Sequence, residues 1–539
     1  MDVSMKALKI LVIILVSLFV LGATAVFFGI KWVNNNLESV INANPERTYN
    51  IHFETVDFDY LKRVIIISEV KISAVGKQQE DVFVDGRVAQ IQLNKLNVLR
   101  LFLNRELVMQ ELVFVEPLLV VYVPEENPEQ QMPAEGLRNL FGDILSRGKI
   151  RNFRLGRASV QMMKNGDQIG TLSDLNILAT ELETDSLKWN NPIPFDYERI
   201  VISLDSLDHT LANGQIFHTG KVAFDTDVQE MSFVGLSLKY PNGARKASSE
   251  MEYQIDLIEF ELDSMKFSGL EATSNLYSDP DVRAGKLEII GLVLKDFRDK
   301  NLPRPQEDIK PLFQGMVKKI PFPLKLDTLS VLHSTVIYSE AVPDNGGFWE
   351  FHLDHLNGQF VNITTIPEYQ AKLELFEGDF TAKINGGGSM TIDFDIPYAK
   401  DEFDLKVELT DFPLPNINEL LNPIMNGEIV EGNLHTLYLD MHADSMKATN
   451  QLRFDYTDLK ISLFKKDSQQ KNKLMSSLAN MLLQQSNMPG EKKYLRPEYI
   501  TERNRYRGPF HLIWSSTKEG MMRTVPGGAA KAILKPENK

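Results

Sequence analysis

Apolar and polar residues alternate by twos along much of this chain, a pattern typical of β-strands with one buried face and one face in water. The clearest example lies between residues 371 and 409, where charged and hydroxyl side chains separate the apolar positions. The apolar set contains Leu373, Leu375, Phe380, Ile384, Ile392, Phe394, Leu405 and Val407. This stretch predicts an antiparallel sheet with one apolar face.

Shorter strand patterns precede this stretch. They cover residues 64–72, 82–84, 88–96, 99–103 and 107–123. Turn-forming residues separate several of them, at Asp85-Gly86, Asn104-Arg105 and Glu116-Pro117. Short strands at this spacing predict an antiparallel meander, so we expect a mainly β fold with some α-helix.

Three segments have apolar residues at helical spacing, and they lie near residues 137–147, 309–319 and 474–484. The first two each lead into a strand pattern. When the chain is shifted by 171 residues, Leu155 falls on Leu326 and Val160 on Val331. Two readings remain open: a duplicated helix-and-strand unit, or two unrelated helices that share a common apolar period.

An uncharged apolar run occupies residues 10–30, with Lys6 and Lys9 before it and Lys31 after it. Its length is that of a transmembrane helix, and the preceding lysines favour a cytoplasmic N-terminus. The alternative is a cleaved signal peptide, with the cleavage site at Ala23-Thr24-Ala25. We favour a retained anchor because the run is longer than a signal-peptide core. Both readings export the rest of the chain.

Composition narrows the classes of function. The formal net charge of −15 makes a nucleic-acid partner an unfavourable expectation, because phosphate binding depends on Lys and Arg. The chain has no cysteine, which excludes disulfides, thiolate metal sites and cysteine nucleophiles.

None of the common catalytic motifs occurs, so we expect no enzyme activity and no cofactor. In a strand, His352 and Asp354 would share one face and His355 the other, which argues against a metal site. The cluster Arg503, Arg505 and Arg507 fits lipid phosphates or a solvated strand face, and we favour the solvated face.

These patterns divide the chain into six segments. We expect a cytoplasmic N-terminus at 1–9, the anchor at 10–30, a β-rich segment at 34–123, a helix-plus-strands segment at 134–300, a second such segment at 305–465, and a helical C-terminal end with its tail at 470–539.

Several stretches resemble the AsmA-like family of Gram-negative envelope proteins. One is the anchor followed by VDFDYLKRVIIISEVKI, and another has strands that lead to Glu116-Pro117-Leu118. A third is a late segment with V-x-G-x-L followed by Y-x-D-L-K, and a fourth is LANMLL with the later arginines and IWSSTKEGM. The late motifs here are Val430, Gly432, Leu434, Tyr456, Asp458, Leu459 and Lys460. Residues 180–300 show strands without the family pattern.

The resemblance implies an elongated, bent antiparallel sheet whose apolar face forms an open groove or half-barrel for lipid acyl chains. It implies a single-pass protein of the bacterial inner membrane, with the bulk of the chain in the periplasm. Its function would be phospholipid transfer between the inner and outer membranes and outer-membrane integrity. Its partners would be phospholipid acyl chains, the inner membrane, and outer-membrane or periplasmic proteins.

The alternation itself agrees with this expectation, because a sheet with one apolar face needs a cover or a ligand. The eight apolar residues named first are therefore the predicted acyl-chain contacts. The alternative is an envelope scaffold, or an assembly factor for outer-membrane proteins, that binds clients at exposed strand edges.

Overall fold

The computed structural model describes residues 31, 38, 39, 42, 49–59, 61–75, 83–97, 100, 107–123, 148–183, 197–271, 281–305, 308–342, 347–421, 427–465 and 470–525. The predicted anchor at 10–30 and the predicted helix at 137–147 lie outside these residues. Among the residues described, no helix is both long enough and apolar enough to cross a membrane.

The described residues are mainly β-strand, as predicted. The strands are β1 Tyr49–His52, β2 Thr55–Asp59, β3 Val64–Ala74, β4 Phe83–Asn94, β5 Leu107–Tyr122, β6 Gly148–Lys164, β7 Asp167–Glu183, β8 Arg199–Leu204, β9 Ser206–Thr210, β10 Ile216–Thr219, β11 Val222–Asp225, β12 Glu230–Lys239, β13 Leu257–Ser268, β14 Val282–Ile290, β15 Val293–Asp299, β16 Leu324–Ala341, β17 Phe348–Thr364, β18 Leu375–Ile384, β19 Gly387–Pro397, β20 Phe403–Pro413, β21 Gly427–Ala443, β22 Lys447–Leu463 and β23 Glu498–Glu502.

The helices are short. They are α1 Ala244–Ser248, α2 Phe313–Val317, α3 Pro367–Leu373, a 3₁₀ turn at Leu414–Ile417, α4 Asn418–Leu421, α5 Lys473–Leu482 and α6 Pro509–Thr524. The helix predicted at 309–319 is therefore only five residues long. The helix predicted at 474–484 is confirmed as α5.

The chain forms two compact units. The first contains the described residues up to Thr210 together with Gly220–Val228. The second contains Leu211–Thr219, Gln229–Glu271 and the described residues from 281 onward. Within each unit most neighbouring strands are antiparallel, as predicted. The prediction is wrong for β5–β6, β14–β16 and β15–β16, which pair in parallel.

Two turns predicted from sequence lie inside continuous strands. β4 runs through Asp85-Gly86, and β5 runs through Glu116-Pro117. Glu116 has φ 51°, so the turn signal at this point marks a local irregularity within the strand. Gly86 is needed for packing, because a Cβ there would lie 2.7 Å from the side chain of Leu119.

A bulge in the β6–β7 pair has a specific hydrogen-bond pattern. Arg157 and Asp174 both have positive φ, at 55° and 52°. The Arg157 N–H donates to Oδ1 of Asn176 at 3.0 Å, and Nδ2 of the same asparagine donates to the Asp174 carbonyl at 2.8 Å. One asparagine therefore satisfies backbone groups on both strands where the regular pairing is interrupted.

The β16–β17 pair in the second unit repeats this pattern. His333 and His355 have φ 51° and 50°, the His333 N–H donates to Asn357 Oδ1 at 2.8 Å, and Asn357 Nδ2 donates to the His355 carbonyl at 2.8 Å. In both places the first strand of the pair, β6 or β16, also lies parallel to a strand before it in the chain. The repeated arrangement favours the duplicated unit over a coincidence of apolar period.

Candidate functional site

Two rows of apolar residues cross the sheet of the second unit, each residue lying directly opposite the next on the neighbouring strand. Directly paired residues point to the same face. The first row is Met231, Phe267, Leu287, Leu329, Phe360, Gly378, Phe394, Leu405 and Met441. The second is Phe233, Met265, Ile289, Val331, Gly358, Phe380, Ile392, Val407 and Leu439. Together these two rows are called the apolar strip.

The residues between the two rows point to the opposite face and are polar. They are Ser232, Lys266, Glu288, Ser330, Gln359, Asp379, Asp393, Lys406 and Asp440. The two faces of this sheet therefore differ in character across nine strands, with the polar face suited to water.

The part of the strip on β12, β13, β14, β16 and β17 is partly exposed and is called the open part. Its residues are Met231, Phe233, Met265, Phe267, Leu287, Ile289, Leu329, Val331 and Phe360, and each retains some contact with solvent. Apolar side chains lined up in this way form a continuous exposed surface, which is the usual mark of a ligand or interaction site.

The part on β18 to β21 is more deeply buried and is called the closed part. Phe394 is 8% exposed and Leu405 is 1% exposed. The ring of Phe313 in α2 packs edge-on against Phe394 at 5.3 Å and against Phe403 at 5.0 Å between centroids. Phe510 of α6 packs on Phe313 at 5.4 Å, so short helices from distant parts of the chain cover this end.

Two glycines at the junction of the open and closed parts make room for phenylalanine rings. Gly358 lies opposite Phe380, and Gly378 lies opposite Phe360. A Cβ on either glycine would lie 2.4 Å from a ring atom of the opposing phenylalanine. The two rings contact each other edge-to-face at 4.8 Å. Glycine is therefore required here for close approach of the rings across the strands.

Arg503 holds the cover in place, which corrects the prediction that this arginine lies on a solvated face. It is 8% exposed, and its guanidinium donates to the carbonyls of Lys310 and Ser445. Burial lowers the pKa of Arg503 from its ordinary value. The Lys310 N–H in turn donates to the Arg505 carbonyl at 2.9 Å. These bonds tie the segment before α2 to the segment before α6.

The structure brings together six of the eight residues predicted from sequence. Phe380, Ile392, Phe394, Leu405 and Val407 lie in the strip, and Ile384 belongs to the same alternating set of β18 as Phe380. These six lie at or beyond the covered end, and their contact with lipid stays a prediction.

The placement of Leu373 and Leu375 on this face was wrong. Leu373 ends α3, and β18 begins only at Leu375, after Glu374 with φ 65°. The buried set of β18 then starts at Phe376, which leaves Leu375 on the opposite set. The helix that starts at Pro367 shifts the strand alternation by one residue, and sequence alternation alone does not reveal that shift.

Sequence reasoning missed the open part. Met265 and Phe267, and likewise Leu287 and Ile289, show the required alternation, but over only a few residues each. Their significance depends on five strands lying in one register, which brings short patterns from distant parts of the chain into two rows.

The first unit carries comparable apolar rows of its own. One row is Val56, Ile67, Ile91, Phe114, Leu155, Ile177 and Ile202. The other is Phe58, Ile65, Leu93, Leu112, Phe153, Ala179 and Ile200. Most of these side chains are buried in one cluster. One-sided apolar strand surface is thus a property of both units.

Candidate catalytic or metal-binding groups do not converge in the part of the chain that the structure describes. No group of three or more His, Asp and Glu side chains there could hold a metal ion. His352 contacts Glu350 at 3.4 Å, and His442 Nδ1 lies 2.8 Å from Asp404. These pairs fit surface roles.

A charged cluster on β15 and β16 lies outside the strip. Burial, with a contribution from the Asp256 charge, raises the pKa of Asp296 to about 6. Its Oδ1 is buried without a hydrogen-bond partner. Nearby, Arg298 Nε donates to Asp256 at 2.7 Å, and the Tyr338 hydroxyl donates to Glu340 at 2.5 Å. The cluster reads as a structural ion network with one poorly solvated carboxyl.

Comparison with protein-family models, curated proteins and solved structures gave no match. The fold and the site therefore define the class in physical terms alone: a mainly β protein with an apolar strip that is covered at one end and open at the other.

Proposed function

We propose that this chain is an inner-membrane-anchored, periplasm-facing lipid-binding protein that contributes to phospholipid transfer between the inner and outer membranes and to outer-membrane integrity. The observation that carries the proposal is the open part of the apolar strip, with partly exposed apolar side chains on five neighbouring strands. The apolar run at residues 10–30 supports the anchor, and the AsmA-like resemblance supports the compartment.

The dimensions of the open part fit an acyl chain. Five strands at a spacing of about 4.8 Å extend for about 19 Å, and two rows separated by two residues are about 7 Å apart. One leaflet of a bilayer core is about 15 Å deep, which is the depth that one acyl chain spans. A chain laid across the strands would thus cover the open part along its length.

The chemistry of the strip also fits a lipid tail. The open part consists of Met, Phe, Leu, Ile and Val, which offer burial without fixed polar contacts. Methionine and phenylalanine at Met231, Met265 and Phe267 adapt to ligands of irregular shape. Such a site binds by burial at roughly 25 cal/mol per Å² of apolar surface and needs no catalytic group.

The alternative function, an envelope scaffold that pairs with client strands, needs a free sheet edge. The edge of β22 beyond β23 is not free, because Ile461 exchanges two hydrogen bonds with the side chain of Asn480. The scaffold function would have to use another edge, so this observation favours the lipid-binding proposal.

Site-specific photo-crosslinking in a Gram-negative cell envelope tests the proposal on the full chain. A photoreactive phenylalanine analogue would replace Phe267 or Phe360 in the open part, which keeps an aromatic ring at each position. The matched control is the same analogue at Lys266, the adjacent residue on the polar face. Mass spectrometry of the purified protein would then detect lipid adducts.

We expect phospholipid adducts at Phe267 and Phe360 and none at Lys266. The analogue at Phe394 reports on the closed part, and we expect little adduct there because α2 covers that side chain. Protein adducts at Phe267 in place of lipid adducts would contradict the proposal and favour a closed interface. Equal lipid adducts at Phe267 and Lys266 would mean contact with a membrane surface without a binding strip.

A further inference from the structure

Helix α5 is amphipathic, but its apolar side faces away from the protein. Leu474 is 72% exposed and Met481 is 80% exposed, and Met475 and Leu478 are exposed as well. At spacings of one, four and seven residues from Leu474, these side chains share one side of the helix. Burying this surface against the sheet would ordinarily be favourable, so its outward position needs an explanation.

Hydrogen bonds to the edge of β22 fix this orientation. Asn480 accepts from the Ile461 N–H at 3.0 Å and donates to the Ile461 carbonyl at 2.7 Å, as a neighbouring strand would. Ser476 Oγ accepts from the Leu463 N–H at 2.8 Å. Ala479 and Leu483 are buried on the same side. The polar side of α5 therefore replaces a missing strand, and the apolar side must point outward.

The charge next to this surface is positive, in contrast to the chain as a whole. Residues 465–473 contain four lysines, at positions 465, 466, 471 and 473, against one aspartate, while the chain carries a formal net charge of −15. No charged residue occurs from Leu474 to Gly490. Lys473 is exposed at the start of the helix, and Lys471, also exposed, pairs with Glu428 at 2.7 Å.

We infer that the outward face of α5 docks on the surface of a bilayer that contains anionic phospholipid. An amphipathic helix with exposed leucine and methionine and with adjacent lysines has the composition of an interfacial helix. The lysines match an anionic headgroup layer by charge, and the apolar side chains enter the boundary between headgroups and acyl chains. This inference goes beyond the proposed function, because it concerns another surface and holds whether or not lipid occupies the strip.

The absence of cysteine allows a clean local measurement on the full chain. A single cysteine at Met481 would carry a polarity-sensitive fluorophore, with the protein held in phosphatidylcholine nanodiscs. Vesicles of phosphatidylcholine, or of phosphatidylcholine and phosphatidylglycerol in equal parts, would then be added. The control is the same label at Tyr253, which is also an exposed apolar residue of the second unit.

We expect a blue shift of the Met481 label with phosphatidylglycerol vesicles and little shift with phosphatidylcholine alone. The label at Tyr253 should not respond. The Lys473→Gln variant should weaken vesicle binding about fivefold, since one basic residue near an anionic surface contributes about 1 kcal/mol. Raising the salt concentration should weaken it further, because the Debye length shortens. Leu478→Gln should also weaken binding, while its melting temperature stays unchanged because the side chain is exposed.

Three results would overturn the inference. The label at Met481 could fail to respond to either vesicle, or it could respond equally to both. It could also be shielded from a soluble quencher before vesicles are added, which would mean that protein already covers α5. The crosslinking at Phe267 is an independent measurement, so failure here leaves the proposed strip function intact.

Discussion

The open and closed parts of the apolar strip have the same strand register and similar side chains, yet they differ in what lies above them. The closed part is sealed by Phe313 and Phe510 and is held shut through Arg503. The open part retains solvent contact on five strands. The difference shows that cover, and not sequence alternation, decides whether an apolar strand face becomes a core or a binding surface.

This comparison separates stability from binding. Residues of the closed part should behave as core residues, and residues of the open part as surface residues with a ligand role. The following predictions test that separation, from the largest expected effect to the smallest.

The largest difference is expected between two leucine truncations. Leu405→Ala removes a side chain that is fully buried and should lower the free energy of unfolding by about 2–5 kcal/mol. Leu287→Ala, in the open part, should cost about 1 kcal/mol or less, because that side chain is partly exposed. Denaturant unfolding of both variants, without added lipid, measures the difference. Equal losses would mean that the open part is also core.

Release of the cover should follow from Arg503→Gln. The substitution leaves the carbonyls of Lys310 and Ser445 without their charged donor, which should cost about 1–3 kcal/mol. Hydrogen exchange should then rise in β19 and β20, next to α2, more than in β12 and β13. A uniform rise across all four strands would show that Arg503 supports the whole unit and not the cover alone.

The junction between the two parts is tested by Gly378→Ala. The added Cβ would meet the ring of Phe360, so the ring must move, at a cost of about 1–3 kcal/mol. Because Phe360 belongs to the open part, lipid crosslinking at that position should also change. Stability and crosslinking would be measured on the same preparation. A loss of stability with unchanged crosslinking would place the ring outside the binding surface.

The smallest effect is a dependence on pH that comes from Asp296. Its pKa is raised to about 6 in the folded protein, from an ordinary value of 3.8, so the folded protein binds more protons between these pH values. Its contribution to stability is therefore greatest below about pH 4 and is lost as the pH rises through about 6. We expect about 1–2 kcal/mol, allowing for partial exposure.

Asp296→Asn should remove this dependence. The variant should be more stable than the parent protein at pH 7.5 and closer to it at pH 4.5, as measured by denaturant unfolding at both values. A parallel pH profile for the two proteins would assign the dependence to other carboxyl groups.

Local patterns were enough to predict the strands and their buried sets. The alternation around Ile392 and Phe394 placed both residues correctly, and the helical spacing at Leu478 and Met481 placed α5. These features depend on neighbours a few residues apart, so one sequence contains them.

Features that depend on distant contacts could not be predicted in this way. Phe313 covers Phe394 across 81 residues of chain, and nothing near either residue indicates the pair. The outward side of α5 follows from the bond between Asn480 and Ile461, which reverses the usual meaning of an amphipathic helix. The open part required the register of five strands. In each case the tertiary partner supplies the information.

The asparagine at the edge of β22 has a consequence for how long the sheet can be. A sheet that extends by adding strands has no intrinsic end, because every outer strand offers the same unpaired backbone groups to the next. Asn480 and Ser476 occupy those groups at Ile461 and Leu463 with side chains that offer no further strand. They act as a terminator, one that fixes the strand count and prevents polymerisation through this edge while leaving the faces of the sheet free.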